Sequence, residues 1–178
     1  MAGSGADERA WIRGAQNGST SAMEALFRHH WPRAYRAAYL VVHDSAAAED
    51  IAQEAFLAAV RNLDRFDRRR PFGPWLHRIV VNRAIDWARA RSLRRETDPA
   101  LLETQPAADI PSNPHAQTLA EGLADLSPEH RAVIVLRHVL GYTPGEIAEL
   151  LGLPRGTVNS RLRRGLDELA RRLGEELR

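Results

Sequence analysis

Apolar residues recur along this chain at three- and four-residue intervals, as in helices that bury one side, and no stretch alternates as a half-buried strand would. A first short pattern runs from Asp7 to Gln16 and closes at Asn17-Gly18, after a flexible terminus at residues 1–6. Ser19, Thr20 and Ser21 offer N-caps for a long helix reaching about Val42, with Leu26, Trp31, Ala34, Tyr35, Ala38 and Val41 inward and a kink at Pro32. Asp44-Ser45 begins the next helix, which reaches about Leu63. Ile51, Ala55, Ala58, Ala59 and Asn62 follow one face of it, Phe56 and Val60 lie beside them, and Glu49, Asp50, Gln53 and Glu54 gather opposite. A helix after Pro74 carries Leu76, Ile79, Val80, Arg83, Ala84 and Trp87 on its stripe. Asn113-Pro114 caps a helix through about Ala124, and Ser127-Pro128-Glu129 starts another, with Val133, Leu136 and Leu140 inward, ending at Gly141. The pattern predicts an all-α protein of two small helical domains, residues 1–95 and 113–178. Between them, residues 96–112 are acidic, Pro-punctuated and aperiodic, which is linker composition.

The sharpest local signal is Thr143 to Arg164. Thr143 and Glu146 form a T-x-x-E capping box with Pro144 at the first helical position. Ile147, Leu150 and Leu151 make one apolar stripe, Gly152 ends the helix, and Pro154 begins the next. Val158, Leu162, Leu166 and Leu169 continue inward along a last helix to about Leu173. Two helices across a short Gly-containing turn form a helix-turn-helix. The outward face of the second carries Arg155, Asn159, Ser160, Arg163 and Arg164, side chains suited to base edges and phosphates in a major groove. A helical hairpin with a solvated basic face is the competing explanation. The absence of any acid on that face before Asp167 favours DNA.

Composition sharpens this picture. With no cysteine, disulfides, thiolate metal sites and a thiol switch are excluded within the chain. No apolar run approaches the length of a bilayer span, and the start lacks a basic-then-apolar leader, so a cytoplasmic protein without membrane insertion is expected. The net charge of +2 conceals segregation: residues 61–95 hold 11 Arg and 3 acids, whereas residues 96–128 hold 6 acids and no basic residue. Every basic residue is Arg. In the first of these segments Arg68-Arg69-Arg70 precede Phe72 and Trp75, and Arg interleaved with rings suits single-stranded nucleic acid. Trp75 and Trp87 lie on the apolar stripe and read as core, whereas Phe66 and Phe72 fall in turns where an exposed ring is expected. His29-His30 has no partner ligands at usable spacing, so no metal is expected there.

These motifs resemble those of bacterial RNA polymerase sigma factors, specifically the small extracytoplasmic-function (ECF) group. The resemblance rests on Ala48-Glu-Asp-Ile-Ala-Gln-Glu-Ala-Phe56, Pro74-Trp-Leu-His-Arg-Ile-Val-Val-Asn-Arg-Ala84, Leu126-Ser-Pro-Glu-His-Arg131 and Gly141-Tyr-Thr-Pro-Gly-Glu-Ile-Ala-Glu-Leu-Leu151 with Pro154-x-Gly-Thr-Val158. It covers about Glu24 to Leu173. It implies that the first domain is sigma region 2 and the second sigma region 4, with core RNA polymerase (through the largest-subunit coiled coil and the flap), promoter DNA and an anti-sigma factor as partners, and no cofactor. Asp50, Gln53 and Glu54 would face the coiled coil. Phe72, Trp75, Arg78, Asn82, Arg83 and Arg89 would act at the −10 element, Asn82 helping to form a pocket for a flipped base. Asn159, Ser160 and Arg163 would reach base edges of the −35 element, with Arg155, Thr157, Arg161 and Arg164 nearer phosphates. Asn159 stands where the family is often basic, which implies a different upstream preference. The acidic linker would follow the path of nascent RNA as a polyanion mimic.

Two other classes fit the residues less well. A helix-turn-helix regulator acting without polymerase would bind duplex DNA alone, but the first half lacks a ligand-pocket pattern. An enzyme on nucleic acid has little support: a Walker loop requires Lys, and no H-E-x-x-H pair or G-x-S-x-G elbow occurs.

Overall fold

The computed structural model describes residues 5–97 and 120–176. Among these, all regular structure is helical. Helix α1 spans Gly5–Gln16, α2 Thr20–Val42, α3 Ser45–Arg61 and α4 Phe72–Thr97. The second half comprises helical residues 120–124, α5 (Pro128–Ile134), a π-helical turn (Val135–Val139), α6 (Pro144–Leu151) and α7 (Arg155–Glu176). Helix α4 thus runs two residues into the stretch the sequence assigns to the linker. The remainder of that stretch, and the expected helix start at Asn113-Pro114, lie outside the described residues.

The caps form as the sequence predicts. Ser19 accepts from the Ala22 amide at the start of α2. Asp44 accepts from the Ala47 amide at 2.9 Å at the start of α3. Between them His43 takes a left-handed conformation (φ 55°) and donates its amide to the Tyr39 carbonyl, so that α2 stops and α3 departs within two residues. Such a conformation is uncommon for a residue with a Cβ. Helix α2 continues through Pro32. Helix α3 ends at Arg61 rather than Leu63, because Leu63–Arg65 tightens into a 3₁₀ turn. Gln16 of α1 holds that turn by donating to the Leu63 and Phe66 carbonyls at 2.8 and 3.2 Å. Ala58 is half-buried and Asn62 exposed, so the inward stripe of α3 is Ala48, Ile51, Ala52, Ala55 and Ala59. The run of alanines lets α2 and α4 approach α3 closely.

Helix α4 is the spine of the molecule. One side packs on α2 and α3; another packs on α5 and α6. Arg91 ties it to the α3 N-cap through Asp44, which is 5% exposed, and the guanidinium also lies 5.0 Å from the Trp87 ring centroid. A buried carboxylate is costly unless paired, and here the pair and the cap satisfy both oxygens.

In the second half, the expected inward stripe of α7 needs one correction. Leu166 is 38% exposed, and Gly165 takes its place against α5. A Cβ at Gly165 would stand 3.0 Å from Ile134 Cδ1 and 3.1 Å from His130 Cβ, so the glycine permits close packing of α5 on α7. Gly165→Leu is therefore expected to cost about 1–3 kcal/mol by overpacking, read as a lower urea midpoint. An unchanged midpoint would mean that the two helices do not meet so closely.

Candidate nucleic-acid interface

The helix-turn-helix forms as its sequence dictates. Thr143 Oγ1 accepts from the Glu146 amide, and the Glu146 carboxylate accepts from the Thr143 amide at 2.7 Å, completing the capping box. The bond from the Thr143 amide, and a second that the Thr143 hydroxyl donates to the same carboxylate at 2.7 Å, hold the Glu146 carboxyl below its usual range. Gly152 turns the chain with φ 65°. Ile147 and Val158 are fully buried, which fixes the rotation of α7. Arg155, Asn159, Arg163 and Arg164 are consequently exposed, whereas Thr157, Ser160 and Arg161 are half-buried. The Ser160 hydroxyl donates to the Thr157 carbonyl at 2.9 Å, which commits its proton and leaves the oxygen an acceptor. Arg161 sits close enough to Glu129 of α5 to lower that carboxyl's pKa.

The six residues expected at the −10 element divide differently. Phe72 is 3% exposed and Phe66 8%, against the expectation of exposed rings. The reason is mutual packing: Phe66, Phe72 and Trp75 form a cluster with centroids 4.7–5.7 Å apart, so the turns carrying them fold over their own rings. Phe72 therefore shapes the start of α4 and cannot stack on a base without unpacking. Trp75 is half-buried. Arg78 is exposed and Asn82 half-buried on α4. Arg83 is paired with Glu54 of α3, so one expected DNA residue and one expected polymerase residue hold each other. Arg89 donates from Nε to Glu129 at 2.6 Å. Arg68, Arg69 and Arg70 are all exposed just before α4.

On α3, Asp50, Gln53 and Glu54 are exposed along one edge, with Glu49 bonded to Gln53. Beside them runs an apolar groove of ≈ 360 Å³ between α2 and α3, lined by Met23, Phe27, Phe56, Leu57, Val60 and Leu63 among others. Leu57 is 54% exposed and Val60 40%. The sequence reading missed this groove, although its signal was present: α3 carries more apolar residues than one inward stripe can use.

The two histidines at the centre behave as core. His30 is 5% exposed and His77 4%. Burial, then the charge of Arg33, lowers His77 to about 4, and its Nδ1 bonds the Tyr142 hydroxyl at 2.7 Å. Burial, then His29, His77 and Arg33, lowers His30 to about 3, although the Glu8 carboxylate 2.8 Å from Nε2 works the other way. No group of three or more metal-binding side chains occurs among the described residues. No described helix is long and apolar enough to cross a membrane.

Residues 26–94 match Sigma-70 region 2 and residues 116–169 match Sigma-70, region 4. Over 176 residues, covering 91% of this chain and 94% of the other, it is 30% identical to the ECF RNA polymerase sigma factor SigW of Bacillus subtilis (strain 168). The chain belongs to the ECF RNA polymerase sigma factors. A second relative, SigM of Mycobacterium tuberculosis, is 35% identical over 88% of this chain and 80% of its own length. Among solved structures, CnrH in complex with the cytosolic domain of CnrY aligns over 95% of this chain and 98% of that one, with a TM-score of 0.69 and 29% identity. RpoE of Bartonella quintana, solved with the anti-sigma factor NepR, shares the fold at a TM-score of 0.71 and 23% identity. Within this ECF sigma factor, region 2 therefore comprises the α2–α4 bundle, and region 4 includes α5 to α7. Helix α1 stands before the matched span and braces the turn that leads to α4.

Proposed function

We infer that this sigma factor docks on core RNA polymerase through the acidic edge and apolar groove of α3, melts the −10 element with α4, and reads the −35 element as duplex with α7. The observation that carries this reading is the placement of two exposed Arg arrays on one chain. One lies at and before the start of α4 and the other on a capped recognition helix, so each suits a different form of DNA. Asp50, Gln53 and Glu54 supply the polar rim and Leu57 and Val60 the apolar centre of a site for a helix of basic flank and apolar stripe. Arg78 and Asn82 are placed to meet the melted strand, with Phe72 and Trp75 supporting the element. Arg83 and Arg89 reach it after their carboxylate partners are exchanged for phosphates. Asn159, Ser160 and Arg163 face base edges; Arg155, Thr157, Arg161 and Arg164 lie toward the backbone. The chain acts in the cytoplasm without catalysis of its own, the polymerase supplying the chemistry. An anti-sigma protein is the partner class that would compete for the α3 groove.

A gel shift on promoter duplex tests this. The chain with core polymerase is expected to bind and the chain alone to bind weakly; tight binding by the chain alone would indicate a polymerase-independent regulator instead. In the same assay Arg163→Ala is expected to weaken the specific complex by about 1–3 kcal/mol while leaving polymerase association intact. Equal binding by this variant would remove Arg163 from the base-reading set.

A further inference from the structure

We propose that Gln16, the last residue of α1, is a positioning residue for promoter melting: its amide fixes the turn from which Arg68, Arg69 and Arg70 are presented to the −10 strand. The inference rests on the reading of those arginines and α4 as the melting element.

The bridge is long in sequence and short in space. Gln16 Nε2 donates to the Leu63 carbonyl at 2.8 Å and to the Phe66 carbonyl at 3.2 Å, residues 47 and 50 positions further along the chain. Both acceptors belong to the connection between α3 and α4, whose one regular piece is the short 3₁₀ turn. Only an N–H group can serve two carbonyls, so the turn dictates which way the amide faces. The arm that carries this amide is itself fixed. Ile12 and Ala15 of α1 are buried, and Glu8 reaches His30 of α2 at 2.8 Å. A Cβ at Gly14 would stand 2.8 Å from Ala22 Cβ, so the glycine lets α1 and α2 meet closely. The Gly14 carbonyl accepts from the Ser19 amide at 2.9 Å and closes the corner between the two helices. Gln16 therefore reaches the turn from an edge that is held in place.

From the pinned turn the path to the arginines is short and hydrogen-bonded. The Phe66 amide donates to the Leu63 carbonyl at 3.0 Å, and the Phe66 ring packs on Phe72 and Trp75. Asp67 Oδ1 then accepts from the Arg69 amide at 3.0 Å, and the Asp67 carbonyl from the Arg70 amide at 2.9 Å. Arg68, Arg69 and Arg70 leave this second turn exposed, at the entry to α4. Phe66 joins the two turns, its carbonyl held by Gln16 and its ring by α4. Removing the amide cuts one of those ties and leaves the aromatic cluster to keep the fold. Phosphate contacts set register, so an array that shifts holds a strand less well with no change in its charge.

Open-complex formation by the holoenzyme, read from 2-aminopurine in the −10 element of a duplex promoter, tests the assignment. Gln16→Met, which keeps the length but cannot donate, is expected to lower the yield about tenfold. Gln16→Lys, which restores an N–H donor, should recover most of that loss. Helicity and affinity for core polymerase should match the parent in both. Replacing Arg68, Arg69 and Arg70 together by Ala should lower the yield directly. Adding Gln16→Met to that triple variant should then cost nothing further, because the amide acts through the array. A parental yield with Gln16→Met, or a Lys variant as impaired as the Met variant, overturns the role. So does a full additional loss in the triple background, which a merely structural residue would cause. A triple variant that opens promoters normally would overturn the melting reading and the positioning role with it. That failure is told apart from the others because Gln16 is untouched in that variant.

Discussion

Asp50→Arg and Leu57→Arg are each expected to weaken association with core RNA polymerase about tenfold, and together about a hundredfold, without altering the fold. The two positions sample different parts of one surface. Asp50 belongs to the acidic edge of α3, and Leu57, 54% exposed, lines the groove. Neither supports the core, so unfolding free energies should stay within about 0.5 kcal/mol of the parent. Glu54 is a poorer choice for this test, since its replacement also frees Arg83. Affinity by competition with a labelled parent chain reads the effect. Full affinity in the double variant would move the polymerase-binding face elsewhere.

Acid is expected to destabilise the protein well before its carboxylates titrate. His77 is neutral and buried when folded, with a pKa lowered to about 4, whereas in the unfolded chain it returns to the ordinary value of 6.5. Between those values the unfolded chain binds the extra proton, so stability rises with pH across that window. The contribution is complete above pH 6.5, is lost progressively as pH falls, and is exhausted near pH 4. It amounts to about 3 kcal/mol for His77. His43, lowered mainly by burial and next by Arg131, works in the same direction, as does His30, although Glu8 opposes the shift there. Urea unfolding at pH 7 and pH 5 measures the slope. His77→Gln, which can still bond Tyr142 but does not titrate, should flatten it; an unaltered slope would assign the pH dependence to other groups.

How much of this was legible in the sequence depended on the range of the interaction. Caps and turns are local, and Ser19, Asp44, Thr143, Glu146 and Gly152 act in the structure as their spacing required. The α7 stripe was legible except at one turn, where Gly165 lies inward because α5 comes close, a fact set by His130 and Ile134 rather than by periodicity. The exposed rings expected at Phe66 and Phe72 failed for a similar reason: each is covered by the other and by Trp75, partners brought together by a turn. Ion pairs were the least legible. Nothing along the chain links Arg83 to Glu54 or Arg89 to Glu129, because those pairs depend on how helices cross. The groove beside Leu57 was half-visible, as apolar residues in excess of what one helix face can bury.

Run-off transcription with core polymerase, on promoters mapped for this chain, measures whether it directs initiation. Adding the chain is expected to start transcripts at defined sites that core polymerase alone does not use, and Asp50→Arg with Leu57→Arg to abolish them. Initiation indistinguishable from that of core alone, with the chain present in excess, would contradict that expectation.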